Sequence, residues 1–455
     1  MAIRHIRPAR LILAAVLIVI TLVLFVHRDR VEEELSNIDL DFPLEALGLD
    51  HDEDPVPVID EDDSPIFNAS LYRKLYSLST PDRQYFRIDW GDGLRAYNPN
   101  IIPHPTQPDA YIVAGLQVKV QEGIFDNSEI ACTARFIDGT LKCTEAATPL
   151  PIVRTEGHCP GDLVFHNLRG GPRDARMFYG PQSAYLMYGT LAERSCLGLF
   201  LQDLSVLRGD DGFDSREATF KVGTELQRPP PYGIMQKNWF LFWDPDGRMY
   251  AHHDIYPSRT FAAVSLGGSA GRDLSVSTAY HDSVCMARHM PNLKLDESIH
   301  QATNSLSITW CKRADRWCHP NDDNTFLMTI VHHQMFHEWH AQYYGHVVLF
   351  KRNAPFELHA ISQKGLWING KKPHSCGMES MLVSGCGIEN HDELFYMTSM
   401  SWANQNQTYH GYMDDPLLLA FGIEDVRSGG IDVHAGDLLQ DLAFCDGPKK
   451  VKSQS

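Results

Sequence analysis

The chain has 455 residues, an ordinary share of hydrophobic and aromatic residues, and a formal net charge of −18 at pH 7. Residues 1–30 contribute +4 and residues 31–64 contribute −14, so the rest of the chain carries −8. This mildly acidic remainder argues against a nucleic-acid partner, because phosphate binding needs clustered Lys and Arg.

The first predicted element is a membrane anchor. Leu11–Val26 is an uninterrupted apolar run, which would span about 24 Å as a helix and suits a thin early-secretory bilayer. A cleaved signal peptide is the alternative, but His27–Arg30 has no small-residue cleavage site. Arginines before the run and acidic residues after it predict a cytosolic tail (1–10) and a lumenal remainder. We therefore expect a single-pass type II protein of the Golgi or another secretory-pathway membrane.

An acidic stem is predicted at residues 27–65. The segment is rich in Asp and Glu and poor in aromatic residues, so it repels itself and lacks the apolar surface needed to fold. We expect a disordered spacer, with an acidic docking motif as the alternative. The lumenal domain would then be residues 66–450. Asn68 and Asn406 each begin an Asn-x-Ser/Thr sequon and are predicted N-glycosylation sites there.

The globular part is organised around a predicted hairpin. Trp239–Trp243 is aromatic and apolar, Asp244–Gly247 is a turn, and Arg248–Ile255 is the return strand. Four further stretches repeat this order, with return strands about 65 to 90 residues apart. This spacing predicts an all-β fold, a five-bladed β-propeller, with a β-sandwich as the alternative. The four further pairs of lead-in and return strand are Asn98–Ile102 with Ala110–Gly115, Arg173–Tyr179 with Ala184–Gly189, Ser305–Trp310 with Thr325–His333, and Tyr409–Met413 with Leu417–Gly422.

Ten cysteines lie beyond the predicted stem. An even number in a lumenal chain predicts disulfides, with a catalytic Cys as the less favoured alternative. The chain has no CxxC motif, so zinc-ribbon and thioredoxin folds have no support. Three pairs are close enough in sequence to close short loops: Cys132 with Cys143 across an Asp-Gly turn, Cys311 with Cys318, and Cys376 with Cys386.

The candidate catalytic residue is Asp174, which lies between Arg173 and Arg176 at the start of a predicted strand. The two guanidinium groups would keep the carboxylate ionised and oriented, which suits a general acid or base acting on a sugar hydroxyl. A structural ion pair is the alternative. Lys237 and Arg259, at opposite ends of the central hairpin, have the chemistry to bind phosphate, with a solvated rim as the alternative.

The histidines indicate a polar centre rather than a metal site. The run His332–His340 contains four of them, but it lacks the HExxH order of metalloproteases and follows a strand-like stretch. Asp244-Pro-Asp246 matches the DxD metal motif of nucleotide-sugar transferases, but a hairpin turn explains it better. No metal site is therefore predicted. The histidines that fall at the ends of predicted strands or lead-ins are His252, His253, His300, His332 and His333.

From about Tyr97 to Ile423 the chain resembles the five-bladed propellers of the β-mannoside phosphorylases and the related β-1,2-mannosyltransferases. The resemblance implies that Asp174 is the catalytic acid or base and that Lys237 contacts phosphate. Residues 297–304 replace the family's Gly-rich lead-in, so donor or acceptor preference is expected to differ. The motifs that carry the resemblance are Asn98-Pro99, Arg173-Asp-Ala-Arg176 (where the family has Glu-Asp-Pro-Arg), Lys237-Asn238-Trp239, Tyr256-Pro-Ser-Arg259, His332 and Phe421-Gly-Ile-Glu-Asp425.

The anchored, stemmed layout and the resemblance together predict a glycosyltransferase. The expected reaction is an inverting transfer of mannose from a nucleotide sugar to a glycan or glycoside, with no cofactor. Asp174 would accept the proton of the acceptor hydroxyl. The alternatives are a glycoside hydrolase or phosphorylase, with Asp254 or Asp415 as the second carboxylate of a hydrolase, and a sugar-binding propeller without catalysis. The predicted substrate-binding residues are Arg176, Lys237 and Arg259 at the leaving phosphate, Asn98, Asn238, His300, Asn304 and His332 at the sugar hydroxyls, and Arg173 and Asp415.

Overall fold

The computed structural model describes residues 67–121, 124–209, 212–213, 216, 218–337, 340–374 and 391–446. The predicted anchor, the predicted stem and the pair Cys376–Cys386 lie outside these residues. In the described part strands dominate, and none of its helices is long and apolar enough to cross a membrane. The predicted all-β class is therefore confirmed for the described domain.

The first antiparallel group of strands follows two short leading strands. The bounds are β1 Tyr72–Leu75, β2 Phe86–Asp89, β3 Tyr97–Pro103, β4 Tyr111–Gln121, β5 Ile124–Ile137, β6 Thr140–Cys143, β7 Thr148–Pro149 and β8 Arg169–Gly170. Asp138 and Gly139 both have positive φ and form the two-residue turn between β5 and β6, as hairpins of this length require. Cys132 and Cys143 flank this turn and form the predicted disulfide.

The second and third groups contain the predicted central hairpin. The bounds are a 3₁₀ segment Gly161–Leu168, β9 Arg173–Tyr179, β10 Ala184–Leu191, β11 Leu197–Asp203, α1 Leu204–Leu207, β12 Thr224–Glu225, β13 Phe240–Trp243, β14 Met249–Asp254 and β15 Thr260–Ala263. In the hairpin, Phe240 pairs with His252 and Trp243 with Met249. The Asp244–Gly247 stretch forms the turn between them, closed by a 3.0 Å backbone hydrogen bond. The predicted hairpin is confirmed.

The rest of the chain contains one departure from the predicted strands. The bounds are a 3₁₀ segment Ser275–Ser277, α2 Ala279–His289, β16 Glu297–Gln301, β17 Leu306–Thr309, β18 Thr325–His337, β19 His340–Lys351, β20 Leu358–Ser362, β21 Gly365–Ile368, β22 Phe395–Trp402, β23 His410–Tyr412, β24 Pro416–Ile423, β25 Arg427–His434, α3 Ala435–Leu438 and β26 Leu442–Phe444. The strand that leads into β24 is β22, so the predicted lead-in Tyr409–Met413 is wrong. That stretch forms β23, which pairs with β17 of the neighbouring group instead.

Strand β2 joins the last group, formed by β22, β24 and β25, to the first. Phe86 pairs with Gly430 of β25 in an antiparallel ladder, and Ile88 pairs with Leu141 of β6 in a parallel one. The result is one hydrogen-bonded sheet that runs from β22 through β2 to β3. The two ends of the described domain are therefore held together by main-chain bonds.

Polar side chains tie the first strands of neighbouring groups together. The amide of Asn100 on β3 donates to the Ala175 carbonyl and accepts from the Met177 N–H of β9, both over 3.0 Å. In the same way, the amide of Asn304 donates to the Met400 carbonyl and accepts from the Met400 N–H, on β22. Inner strands that contact each other through side chains, while each group extends outward by ladder bonds, give a propeller-like arrangement.

Disulfides tie the loops around this arrangement. The predicted pair Cys311–Cys318 is confirmed. Two further bonds, which sequence spacing did not predict, join Cys159 to Cys196 and Cys285 to Cys445. Every cysteine of the described residues is bonded, so the alternative of a catalytic Cys has no support among them.

Candidate active site

A hollow of about 710 Å³ opens where β9 begins, and Asp174 lies in its wall. A second hollow of about 560 Å³ adjoins it and shares the stretch Met235–Trp239 that leads into β13. The start of β9, the end of the 3₁₀ segment and this lead-in therefore meet at one place. The polar and charged residues that line the first hollow are His166, Arg169, Arg173, Asp174, Arg176, Gln236, Lys237 and Asn238.

Three predicted site residues share an unusual backbone conformation. Asn98, Asp174 and Asn238 have φ angles of 52°, 53° and 62°, in the left-handed region that residues other than Gly seldom adopt. In β3 and β9 this residue lies where the pairing with the next strand shifts, which is a β-bulge. Backbone strain of this kind persists where the surrounding structure holds a side chain in place. It puts these polar side chains at or beside the same hollow.

Asn98 orients the carboxylate of Asp174. Its Nδ2 donates to the Asp174 Oδ1 over 3.2 Å, while the Asp174 side chain stays exposed to the hollow. Asn98 itself is buried against Gly422, where an added Cβ would come within 2.6 Å of its Oδ1. Glycine at 422 therefore makes room for the amide that holds the carboxylate.

Two buried arginines form the back of the hollow. The guanidinium of Arg173 contacts the His166 ring over 3.3 Å and donates to the Arg169 carbonyl. The guanidinium of Arg176 donates through Nε to the Ala302 carbonyl over 2.9 Å. Carbonyl oxygens fix both groups without neutralising them, so their positive charge is available to a bound anion.

Lys237 adds a positive charge at the front of the hollow. Its side chain is exposed, and it has neither a hydrogen-bond nor an ion-pair partner among the described residues. Burial together with nearby cations, Lys237 among them, lowers the pKa of His166 and lowers that of His300 to about 4. Two imidazoles, one in the wall of each hollow, thus respond to the positive charge of Lys237. The hollow is suited to an anionic group.

Two carboxylates near Asp174 lie outside the predicted site residues. Asp425 lies in the turn after β24 and its side chain is exposed. The surrounding protein partly desolvates its carboxyl, and this desolvation, together with the charges of Asp174 and Glu424, raises its pKa. Glu129, on β5, accepts from the Ala175 N–H over 3.1 Å, and burial, with the charge of Asp174, raises its pKa to about 8. Asp425 is part of a motif quoted above, whereas Glu129 follows the polar run Asp126-Asn-Ser128 and has no such signal in the sequence.

An imidazole and tyrosine cluster separates the two hollows from the core. The rings of His300 and His332 lie 5.5 Å apart, and Tyr396 lies 4.7 Å from His332. The Tyr396 hydroxyl donates to the Asn238 Oδ1 over 3.3 Å. His300 and Asn238 line the second hollow, whereas His332 is fully buried and accepts from the backbone of β22. His332 thus supports the site from behind.

Besides Asn98 and His332, three predicted substrate-binding residues do not line the hollows. Arg259 is buried and forms a 2.7 Å ion pair with Asp282 of α2. Both amide atoms of Asn304 bond the backbone of β22. Asp415 pairs with Arg313, at the opposite end of β24 from the turn that enters the site. Packing between groups occupies all three side chains, which spacing along the chain does not reveal.

The two predicted glycosylation sites lie at the surface of the described part. Asn406 is exposed, and Asn68 is half-buried with its Oδ1 accepting from the Ser70 backbone over 2.9 Å. Glycosylation at both stays a prediction.

No protein-family model and no curated protein matches the chain. Among solved structures, the β-1,2-mannobiose phosphorylase of Listeria innocua, in complex with β-1,2-mannobiose, has a TM-score of 0.45 at 11% identity, covering 81% of this chain and 96% of that one. The GDP-Man-dependent mannosyltransferase MPT-1 of Leishmania mexicana has a TM-score of 0.39 at 10% identity, covering 77% and 89%. The catalytic domain of a GH62 α-L-arabinofuranosidase of Coprinopsis cinerea has a TM-score of 0.36 at 8% identity, covering 80% and 98%. Similarities of this size leave the function to be inferred from the site.

Proposed function

We propose that this protein is a carbohydrate-active enzyme, a five-bladed propeller that cleaves a glycosidic bond by inverting phosphorolysis. The observation that carries the proposal is an exposed carboxylate, Asp174, faced by four cations, of which Lys237 is unpaired among the described residues. A carboxylate suits proton exchange with a glycosidic oxygen. Cations set in place beforehand suit a phosphate whose oxygen attacks the anomeric carbon.

In the proposed step, the protonated carboxyl of Asp174 donates its proton to the glycosidic oxygen as the bond from that oxygen to the anomeric carbon breaks, and solvent returns a proton to Asp174 afterwards. A phosphate oxygen bonds to that carbon from the opposite face, which gives a sugar 1-phosphate of inverted configuration. Asn98 keeps the Asp174 carboxylate aimed at the leaving oxygen. Lys237 acts as a point charge on the phosphate, and the fixed guanidinium of Arg176 supplies directional donors.

Hydrolysis would need a second carboxylate to activate water. Asp254, which the sequence offered, is ion-paired with Arg228. Asp425, whose pKa is raised by the surrounding protein and then by the charge of Asp174, is the better candidate. The abundance of cations around Asp174 favours phosphate over water as the nucleophile.

A second candidate is transfer from a nucleotide sugar, with Asp174 accepting the proton of an acceptor hydroxyl. The observation that favours it is the adjoining hollow, which shares Lys237 and adds Arg228 and His300 to its wall. This extension offers room for the rest of a sugar nucleotide beside the positive charge of Lys237. The predicted membrane anchor and lumenal location would suit this reaction and stay predictions.

One experiment separates these reactions. Purified full-length protein is incubated with β-linked disaccharides with and without inorganic phosphate, and with nucleotide sugars plus acceptors. Sugar 1-phosphate formed only with phosphate supports phosphorolysis, free sugar without phosphate supports hydrolysis, and released nucleotide supports transfer. Asp174→Asn should abolish the activity, whereas Asp246→Asn, at an exposed hairpin turn, should keep it. Glycan binding with no turnover in any arm would instead indicate a binding propeller.

Lys237→Met tests the anion site directly. The variant loses a charged hydrogen bond of about 1.5–3 kcal/mol, so the KM for phosphate, or for the nucleotide sugar, should rise roughly tenfold to a hundredfold. Lys221→Met, which removes another exposed ammonium away from the hollows, is the matched control. Equal KM values for the two variants would remove Lys237 from the proposed site.

A further inference from the structure

A second cluster of reactive side chains lies outside the residues that line the first hollow. It consists of His340 at the start of β19, His374 after β21, and Glu424 in the turn between β24 and β25. Their ligand-capable atoms all lie within 4.8 Å of one another. Three separate elements contribute one residue each, so the tertiary fold brings the cluster together.

The spacing of these atoms matches that of ligands around a small cation. The His374 Nδ1 lies 3.1 Å from the Glu424 Oε1, and the His340 Nε2 lies 3.3 Å and 3.4 Å from the two Glu424 oxygens. Tetrahedral zinc, with bonds of about 2.0–2.2 Å, separates its ligands by about 3.4 Å. A cation therefore fits among the three groups with little movement. The same distances also describe two imidazoles that donate hydrogen bonds to a carboxylate, which an experiment has to distinguish.

The surroundings favour a metal ion. The side chains of His340 and His374 are 7% and 6% exposed, whereas that of Glu424 is 21% exposed. The His340 Nδ1 has no hydrogen-bond partner among the described residues, which is costly for a buried polar atom. Buried imidazoles beside a more open carboxylate leave a path for an ion from solvent.

The backbone conformation of Glu424 is unfavourable for this residue type, which suggests that its side chain is needed at this position. Glu424 and Asp425 both have positive φ, 53° and 51°, in a tight turn closed by the Val426 N–H on the Ile423 carbonyl. Such a turn favours Asn and Gly, and a Glu there is strained. The Leu394 N–H donates to the Glu424 Oε1 over 2.7 Å and so holds the carboxylate facing the two imidazoles.

We propose that His340, His374 and Glu424 form a binding site for a divalent transition-metal ion of the zinc type. Two imidazoles and one carboxylate suit zinc, whereas calcium and magnesium prefer oxygen ligands alone. The remaining coordination position is open to water or to the His391 imidazole, whose ring lies 6.0 Å from that of His340. The bound ion would fix the turn whose next residue, Asp425, is close enough to Asp174 for the two charges to interact.

Zinc uptake by the tag-free, full-length protein tests the site. The protein is stripped with a chelator, incubated with Zn²⁺, dialysed, and analysed for metal per chain by mass spectrometry. One equivalent is expected in the wild type and in His319→Ala, which removes an exposed imidazole elsewhere. His374→Gln and Glu424→Gln should each weaken zinc affinity about tenfold or more.

Two results would overturn the proposal: no zinc retained by the wild type, or unchanged zinc affinity in both variants when circular dichroism shows them folded. The cluster would then be a hydrogen-bonded His–Glu–His group. Should the variants fail to fold, Co²⁺ added to the wild type decides the matter. Intense visible bands of a four- or five-coordinate cobalt ion support the site, and the weak bands of hydrated cobalt contradict it.

Discussion

The buried carboxyl of Glu129 makes a prediction about stability that does not depend on knowing the substrate. Burial, with the charge of Asp174, raises the pKa of Glu129 to about 8 from 4.5. Between these pH values the folded chain holds a proton that the unfolded chain has released. The free energy of unfolding contributed by Glu129 therefore falls as the pH rises from about 4.5 to 8.

Glu129→Gln removes this titration but keeps an oxygen for the Ala175 N–H. At 1.36 kcal/mol per pKa unit, the stability of the variant relative to the wild type should increase by about 2.5 kcal/mol between pH 5.5 and pH 7.5. The absolute stability at either pH also includes the cost of the new amide donors, so the change with pH is the informative quantity.

Urea unfolding at the two pH values, with disulfides intact, measures this change. Glu193→Gln, which alters an exposed carboxylate, is the control and should follow the wild type at both pH values. If the stabilities of Glu129→Gln and the wild type change in parallel between pH 5.5 and pH 7.5, the carboxyl of Glu129 is not protonated in the folded protein over this range.

Three further predictions concern packing, one beside the site and two away from it. Gly422→Ala should push Asn98 aside and lower kcat up to about a hundredfold with an unchanged circular dichroism spectrum; unchanged kcat would mean that Asn98 does not orient the catalytic carboxylate. Replacing Cys285 and Cys445 by Ser frees a loop with a sequence separation of 160 and should cost about 5 kcal/mol in urea unfolding; a loss below about 1 kcal/mol would contradict that constraint. Arg259→Met leaves a buried carboxylate unpaired and should cost about 3–5 kcal/mol without changing KM; a selective rise in the KM for phosphate would return Arg259 to the site.

Hairpin chemistry made much of the fold predictable. The Asp244–Gly247 turn and the apolar stretches on either side were sufficient to place β13 and β14, because they depend on local preferences. The prediction of the strand that pairs with β24 failed for a physical reason. The connection from β22 to β24 spans residues 403–415, and part of it forms a strand of its own, so the nearest strand-like stretch was not the partner of β24.

The site residues also differ in whether local sequence or tertiary packing determines their role. Asp174 and Lys237 were predictable because each lies next to a strand start, where polar residues remain open to solvent. Arg259 and Asn304 have equally suitable chemistry, yet packing partners far away in sequence occupy them. Glu129 was not predicted because its raised pKa depends on burial and on its closeness to Asp174, which is on a neighbouring strand. The sequence does not show this closeness.

The pairing of β2 with β25 has a consequence for synthesis of the chain. Phe86 meets Gly430, so a strand made early finds its neighbour only when nearly all of the domain has been translated. At about 5–20 residues per second the wait lasts some tens of seconds. During that time the edge of β2 that will pair with β25 stays open, and unpaired strand edges promote aggregation. Deleting residues up to 90 would therefore leave a permanent open edge on the mature domain, instead of merely trimming its beginning.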